Sequence, residues 1–212
     1  MDFNSDAGFA LVLVLTLRLR PQPDGGIGGS LTTASLLCKT WTWVCSSSTK
    51  RHESNGHLGD SSLEKVAYGN AMNKRMSFWI IFASHLRIAW VLEQTLNSTF
   101  CKTADMKAAL GATGAEKISF DMFAFGHSAT KPTQLWGANV HWLPDLASLA
   151  KESNYVERQA RAPEPLTKQY YKGEALKVDG KKSALSQSQA YPPKFCLEVL
   201  KLHFPSKFGG KC

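Results

Sequence analysis

An α/β three-layer sandwich with a mostly parallel sheet is the fold class that this 212-residue chain predicts. Strand-like runs such as "IAWVLE" and "KISFDMFAFG" alternate with helical segments, the order produced by parallel strands joined through helical crossovers. The length suits one domain, or one domain with a tail, and is enough to bury a sizeable core. The apolar fraction of 43% and charged fraction of 20% are ordinary for a globular protein and exclude a wholly disordered or fibrous chain.

The elements follow in order. Residues 9–19, inside "AGFALVLVLTLRLR", fit a helix or a buried strand by periodicity, and a helix is the expectation. Residues 20–35, "RPQPDGGIGGSLTTAS", have a linker composition; their glycines match neither a dinucleotide fingerprint nor a phosphate loop. "LLCKTWTWVCSS" alternates Trp41, Trp43 and Cys45 and reads as a short strand or extended loop. A long amphipathic helix follows in "SLEKVAYGNAMNKRMSFWIIFASHL", with Ser61 or Ser62 as the candidate cap and Val66, Met72, Met76, Ile80 and Ala83 near helical spacing. "IAWVLE" is a buried strand, "ADMKAALGATG" a helix stopped by glycine, "KISFDMFAFG" a strand and "WLPDLASLAKES" a helix. Beyond Lys151 the chain turns polar and basic, with one short hairpin between Tyr170 and Val178 at most. "YPPKFCLEVLKLHF" restores helical spacing through Phe195, Val199 and Leu202, with Pro192 and Pro193 at its entrance. The domain organisation is therefore an apolar segment and linker (1–35), an α/β domain (36–150), a basic arm (151–190), a packed helix (191–204) and a frayed tail (205–212).

Charge and cysteine content narrow the function classes. The formal net charge is +8, of which residues 1–150 carry +2 and residues 151–212 carry +6. Such a basic C-terminal part admits a polyanionic partner. Five cysteines with no CxxC pair argue against a disulfide framework and against zinc, so no structural metal is expected. The first apolar run is too short to span a bilayer and carries Asp2 and Asp6 where a secretory signal needs positive charge. The expectation is an intracellular protein with no membrane partner.

Several motifs carry a resemblance. "LLCKTWTWVCSSSTKR", a helix, "WVLEQTLNS" and then "FDMFAFGHSATKPTQLWG" resemble the order found in cytosine-5 DNA methyltransferases, with a cysteine loop, a Glu-Asn strand end and a later basic segment facing nucleic acid. The chain is also similar, over most of residues 36–204, to a multicopy group of uncharacterised algal proteins. The shared positions are Leu58-Gly59-Asp60, Gly69-Asn70, Glu93-Gln94-Thr95, Phe125-Gly126 with Lys131-Pro132-Thr133, and Ser188-Gln189-Ala190-Tyr191-Pro192. The resemblance implies a partial Rossmann-like sheet, whose chemistry gathers at the carboxyl ends of the strands.

It also implies roles. In such enzymes a cysteine thiolate adds to carbon 6 of an extruded cytosine, a carboxyl group protonates nitrogen 3, and carbon 5 takes a methyl group from S-adenosylmethionine. Cys38 would be the nucleophile and Glu93 the acid, with Lys131, Thr133, Lys181 and Lys182 toward nucleic acid. Leu37 stands where those enzymes have proline, Gln94 where they have asparagine, and the glycine-rich strand end that holds S-adenosylmethionine is not found upstream. A methyltransferase-like domain lacking its cofactor half is the expected function. The alternatives are an active cytosine-5 methyltransferase completed by another chain, and a basic nucleic-acid-binding module in residues 151–212. Two plainer roles stand beside these: Cys38 as a small buried apolar residue, and Glu93 as a strand-end carboxylate accepting backbone N–H groups.

Overall fold

The computed structural model describes residues 5–18, 31–34, 38–42, 46–160, 162–163, 168–172, 175–179 and 191–204. The chain forms two compact units, residues 1–117 with 135–141 and residues 118–134 with 142–212.

The first unit is built around a long helix. Helix α1 (Asp6–Arg18) fulfils the helical reading of the first apolar run. Strand β1 (Leu31–Ala34) lies inside the expected linker, where a Gly/Pro/Ser/Thr composition hides it. Cys38–Trp41 and Ser46–Thr49 form two single-turn helices, α2 and α3, where a strand or loop is expected. Helix α4 (Glu64–His85) buries Val66, Met72, Met76, Ile80 and Ala83, the face its spacing predicts. Its cap differs, because Leu63 occupies the N-cap and Asp60 instead holds Ser62 through its backbone N–H and its hydroxyl. Helix α5 (Ala104–Ala112) is capped by Thr103, whose Oγ1 accepts from Met106 N, and Gly114 turns the chain at φ +61°.

Strand β2 (Trp90–Thr95) is the centre of this unit. Trp90 and Leu92 join Trp41, Trp79, Ile80 and Phe100 in one apolar core. Asn73, buried on α4, donates to the Phe100 carbonyl (2.9 Å) and accepts from the Thr103 hydroxyl (2.8 Å), which fixes α5 against α4 with its polar atoms paired. Thr16 accepts from Trp79 Nε1 (3.0 Å) and ties α1 to the same helix.

Strands β3 (Glu116–Asp121) and β4 (Pro132–Ala138) complete a four-stranded sheet in the order β1-β2-β4-β3. The expected mostly parallel, Rossmann-like sheet is not what forms. β1 and β2 are parallel, but β2, β4 and β3 make an antiparallel three-stranded part. The connection explains this. A parallel return needs a crossover of a dozen or more residues, usually a helix. Between β3 and β4 run only a 3₁₀ turn (Met122–Phe125), Gly126 at φ +91° and the segment 127–131, so the chain returns beside the strand it left.

In the second unit Phe120, Phe125 and Phe195 pack with ring centroids 5.4–5.8 Å apart. Helix α6 (Leu143–Ala160) and the final helix α7 (Pro193–His203) belong here, with Pro193 at the start of α7 as its sequence predicts. Trp142 Nε1 donates to His203 Nδ1 (3.0 Å). The hairpin forms as a separate antiparallel pair, β5 (Lys168–Lys172) with β6 (Ala175–Asp179).

Candidate functional site

The parallel register brings the two candidate catalytic segments to one end of the sheet. Leu31 pairs with Trp90, Thr32 with Val91, Thr33 with Leu92 and Ala34 with Glu93. The chain therefore leaves β1 directly beside Glu93, and α2 opens four residues later at Cys38. The far end of α2 is tied back as well. The Trp41 carbonyl accepts from Thr99 N (2.8 Å) and from the Thr99 hydroxyl (3.1 Å), and Thr42 bridges Ser98. Ala34 on one side of Cys38 in the chain and Trp41 and Thr42 on the other thus lie against residues 93–99. The Cys38 side chain lies outside the described residues.

Glu93 is 5% exposed. Side chains alternate along a strand, so Glu93 points away from the core face that takes Trp90 and Leu92. Gln94 returns to that face, fully buried, and its Oε1 accepts from the Ser98 hydroxyl (2.8 Å). Ser98 also accepts from Phe100 N (3.2 Å), so Gln94 fixes the turn that carries Ser98 and Thr99 to α2.

Sequence reasoning missed the group that supports α2. Arg51 is 3% exposed, and its guanidinium lies 3.4 Å from the centroid of a Trp41 ring. Nε donates to the Thr40 carbonyl (2.9 Å), and Nη1 donates to the His57 carbonyl (2.7 Å) and to Asn70 Oδ1 (2.9 Å). Longer bonds reach the Leu58 and Val66 carbonyls. All five of these acceptors are neutral. Burial pushes the guanidinium down to about 10, so it remains a cation at neutral pH.

Four residues of the stretches Leu58-Gly59-Asp60 and Gly69-Asn70 surround this arginine. Leu58 and Asn70 supply acceptors, while Gly59 and Gly69 leave it room. A Cβ at Gly59, where φ is +69°, would overlap the Thr49 carbonyl oxygen and lie 2.9 Å from Arg51 Cγ. A Cβ at Gly69 would lie 3.0 Å from Arg51 Nη2 and 3.3 Å from Trp41 Nε1. These two glycines were the sequence signal that a bulky group packs here.

The surroundings of the hub are polar and titratable. Asp60 accepts from Ser62 and from Lys50 Nζ (2.9 Å), and these bonds, Ser62 first, hold its carboxyl down at about 2. His57, at φ +63°, titrates below the ordinary histidine range through burial first and then the positive charge of Lys102.

The residues expected to face nucleic acid separate. Thr133 is fully buried and donates to the Lys131 carbonyl (2.9 Å), so it braces the start of β4 and presents no atom to a ligand. Lys131 lies with its Nζ 5.4 Å from the Tyr191 ring centroid, and its backbone N–H donates to Asp121 Oδ1 (2.7 Å). Lys181 and Lys182 lie outside the described residues.

A methyl donor needs a cradle of close backbone approach, and Gly59 and Gly69 do not provide one. Gly59 and Gly69 face space already filled by Arg51, Thr49 and Trp41, and neither ends a strand. No step is derived through S-adenosylmethionine. Among the described residues no three His, Cys, Asp or Glu side chains are grouped to hold a metal ion, and no helix is long and apolar enough to cross a membrane. No protein-family model, curated protein or solved structure matches the chain.

Proposed function

We propose that this chain is a methyltransferase-like domain that keeps a thiol and an acid at adjoining strand ends and does not transfer methyl groups. The register that sets Ala34 opposite Glu93, four residues before Cys38, is the observation that supports it. A buried carboxyl group beside a cysteine-bearing turn suits hydrogen bonding to a heteroaromatic ring, since a carboxyl shielded from water donates or accepts in one defined geometry. Turnover would need a methyl donor, for which Gly59 and Gly69 offer no cradle.

The test has two arms. A Glu93→Cys chain retaining Cys38, with the other four cysteines replaced by serine or alanine, should join the two thiols through a short bismaleimide; failure in a folded sample removes the shared strand end. Labelled S-adenosylmethionine incubated with cytosine-containing DNA should give no incorporation. Incorporation that Cys38→Ala abolishes would establish a working enzyme instead.

A further inference from the structure

The turn at residues 52–57 holds the chain's sole asparagine–glycine step, Asn55-Gly56. An asparagine amide before glycine is open to attack by the next backbone nitrogen, because glycine has no Cβ to shield it. Here the approach is clear. A Cβ at Gly56 would meet nothing within 4 Å, and the residue is exposed at φ +61°. The Asn55 amide is oriented by two bonds: Nδ2 donates to the Lys50 carbonyl (2.6 Å), and Oδ1 accepts from the His52 backbone N–H (3.2 Å). It is therefore Nδ2 that meets His52 Nε2, at 3.2 Å. That ring nitrogen accepts, so the proton of the neutral imidazole sits on Nδ1, toward the Ser54 hydroxyl. A basic nitrogen thus rests against the atom that must leave when the amide is displaced.

We propose that this turn modifies itself: the Gly56 nitrogen displaces the Asn55 amide, His52 carries the proton, and residue 55 becomes aspartate or isoaspartate. The step begins when the Gly56 N–H releases the Glu53 carbonyl, to which it donates at 2.9 Å. The nitrogen then bonds to Asn55 Cγ and gives its proton to His52 Nε2, directly or through water. The Cγ–Nδ2 bond breaks, and Nδ2 leaves as ammonia with the proton that Nε2 returns. Water opens the cyclic imide at either carbonyl, so amide and water are consumed, acid and ammonia are formed, and nothing is oxidised or reduced. The product lacks the donor that the Lys50 carbonyl accepts from. Isoaspartate also adds a methylene to the main chain just before the His57 and Leu58 carbonyls that bind Arg51. Conversion therefore loosens the arginine's hold on this turn.

Peptide mapping by mass spectrometry of the folded full chain, aged in mildly alkaline buffer, tests this, with isoaspartate told from aspartate by electron-transfer fragmentation. Residue 55 should convert ahead of Asn97, an exposed asparagine that precedes serine. Gly56→Ala, whose Cβ shields the nitrogen, should slow conversion about tenfold or more, and His52→Phe, which removes the relay, by a similar factor. Both sites are exposed, so neither change touches the core; should a variant unfold, the unsubstituted chain still decides. The converted chain, separated by its added negative charge, should unfold at lower urea than the unconverted one. A folded chain that still holds the amide at residue 55 after the urea-unfolded chain has lost it overturns the proposal. So does a His52→Phe chain that converts as fast or faster, since the imidazole would then merely hold the turn closed. A converted chain as stable as the original equally overturns it.

Discussion

Replacing Arg51 by alanine removes one side chain and releases five acceptors. Three bonds are short, to the Thr40 and His57 carbonyls and to Asn70 Oδ1, and two are long. A hydrogen bond to a charged group contributes about 1.5–3 kcal/mol, and a buried carbonyl left without a donor costs about 1–3 kcal/mol. Water can reach Asn70 and Leu58, which are half-buried and exposed, but not the buried positions around Thr40 and Val66. The loss should therefore amount to about 3–5 kcal/mol, below the simple sum, because the vacated space admits some solvent. Urea unfolding is the assay. With a slope of about 2–3 kcal/mol/M, the midpoint should fall by about 1–2 M. Arg51→Lys keeps the charge but loses the planar fork, and should cost about 2 kcal/mol. A loss below about 1 kcal/mol for the alanine variant would refute the view that this cation holds α2, the 57–60 turn and α4 together.

The other predictions concern the same region and the thiols. Gly59→Ala should destabilise by about 3 kcal/mol or more, while Gly56→Ala, also left-handed but with open space beside it, should cost only about 1 kcal/mol; equal effects in chemical denaturation would remove the steric argument. His57 is depressed below its unfolded value of 6.5, so the unfolded chain binds the extra proton first and stability falls as pH drops below that value. His57→Gln should flatten the stability curve on the acid side of 6.5, measured by denaturant midpoints across pH. Cys101 is 7% exposed and burial pushes its thiol up to about 12, so it should react with a disulfide reagent only on unfolding, whereas exposed Cys196 should react in the folded protein.

What the sequence made legible follows the strength of each local signal. Helix α4 announces itself because five apolar residues recur on one face over 22 residues, and β2 because an apolar run ends at an acid. Strand β4 has no comparable signature. It begins at Pro132, and its buried residues include Thr133 and Gln134, polar side chains that imitate a loop. Overlooking it led to the parallel sheet, since without β4 the strands appear to be separated by helices throughout. The Arg51 hub left only indirect marks. Its acceptors are mostly backbone carbonyls, which every residue has, and an arginine between Lys50 and His52 looks like part of a solvated charge run. Only Gly59, Gly69 and Asn70 carry its imprint, and their meaning depends on knowing what fills the space beside them. That Ala34 pairs with Glu93 was not legible in the spacing of the motifs, because β1 lies in a stretch of linker composition.

The reach of the Arg51 bonds bears on the order in which the protein can assemble. Its partners lie at most 19 residues away along the chain, whereas Leu31 must find Trp90 across 59. Closing the wider loop costs about 1 kcal/mol more in chain entropy before any strand contact offsets it. A nascent polypeptide emerging from the ribosome can knit the arginine's turn as soon as Asn70 is free, while β2 is still being synthesised. Strand β2 would then meet the Trp41–Thr42 end of α2 already held by Arg51.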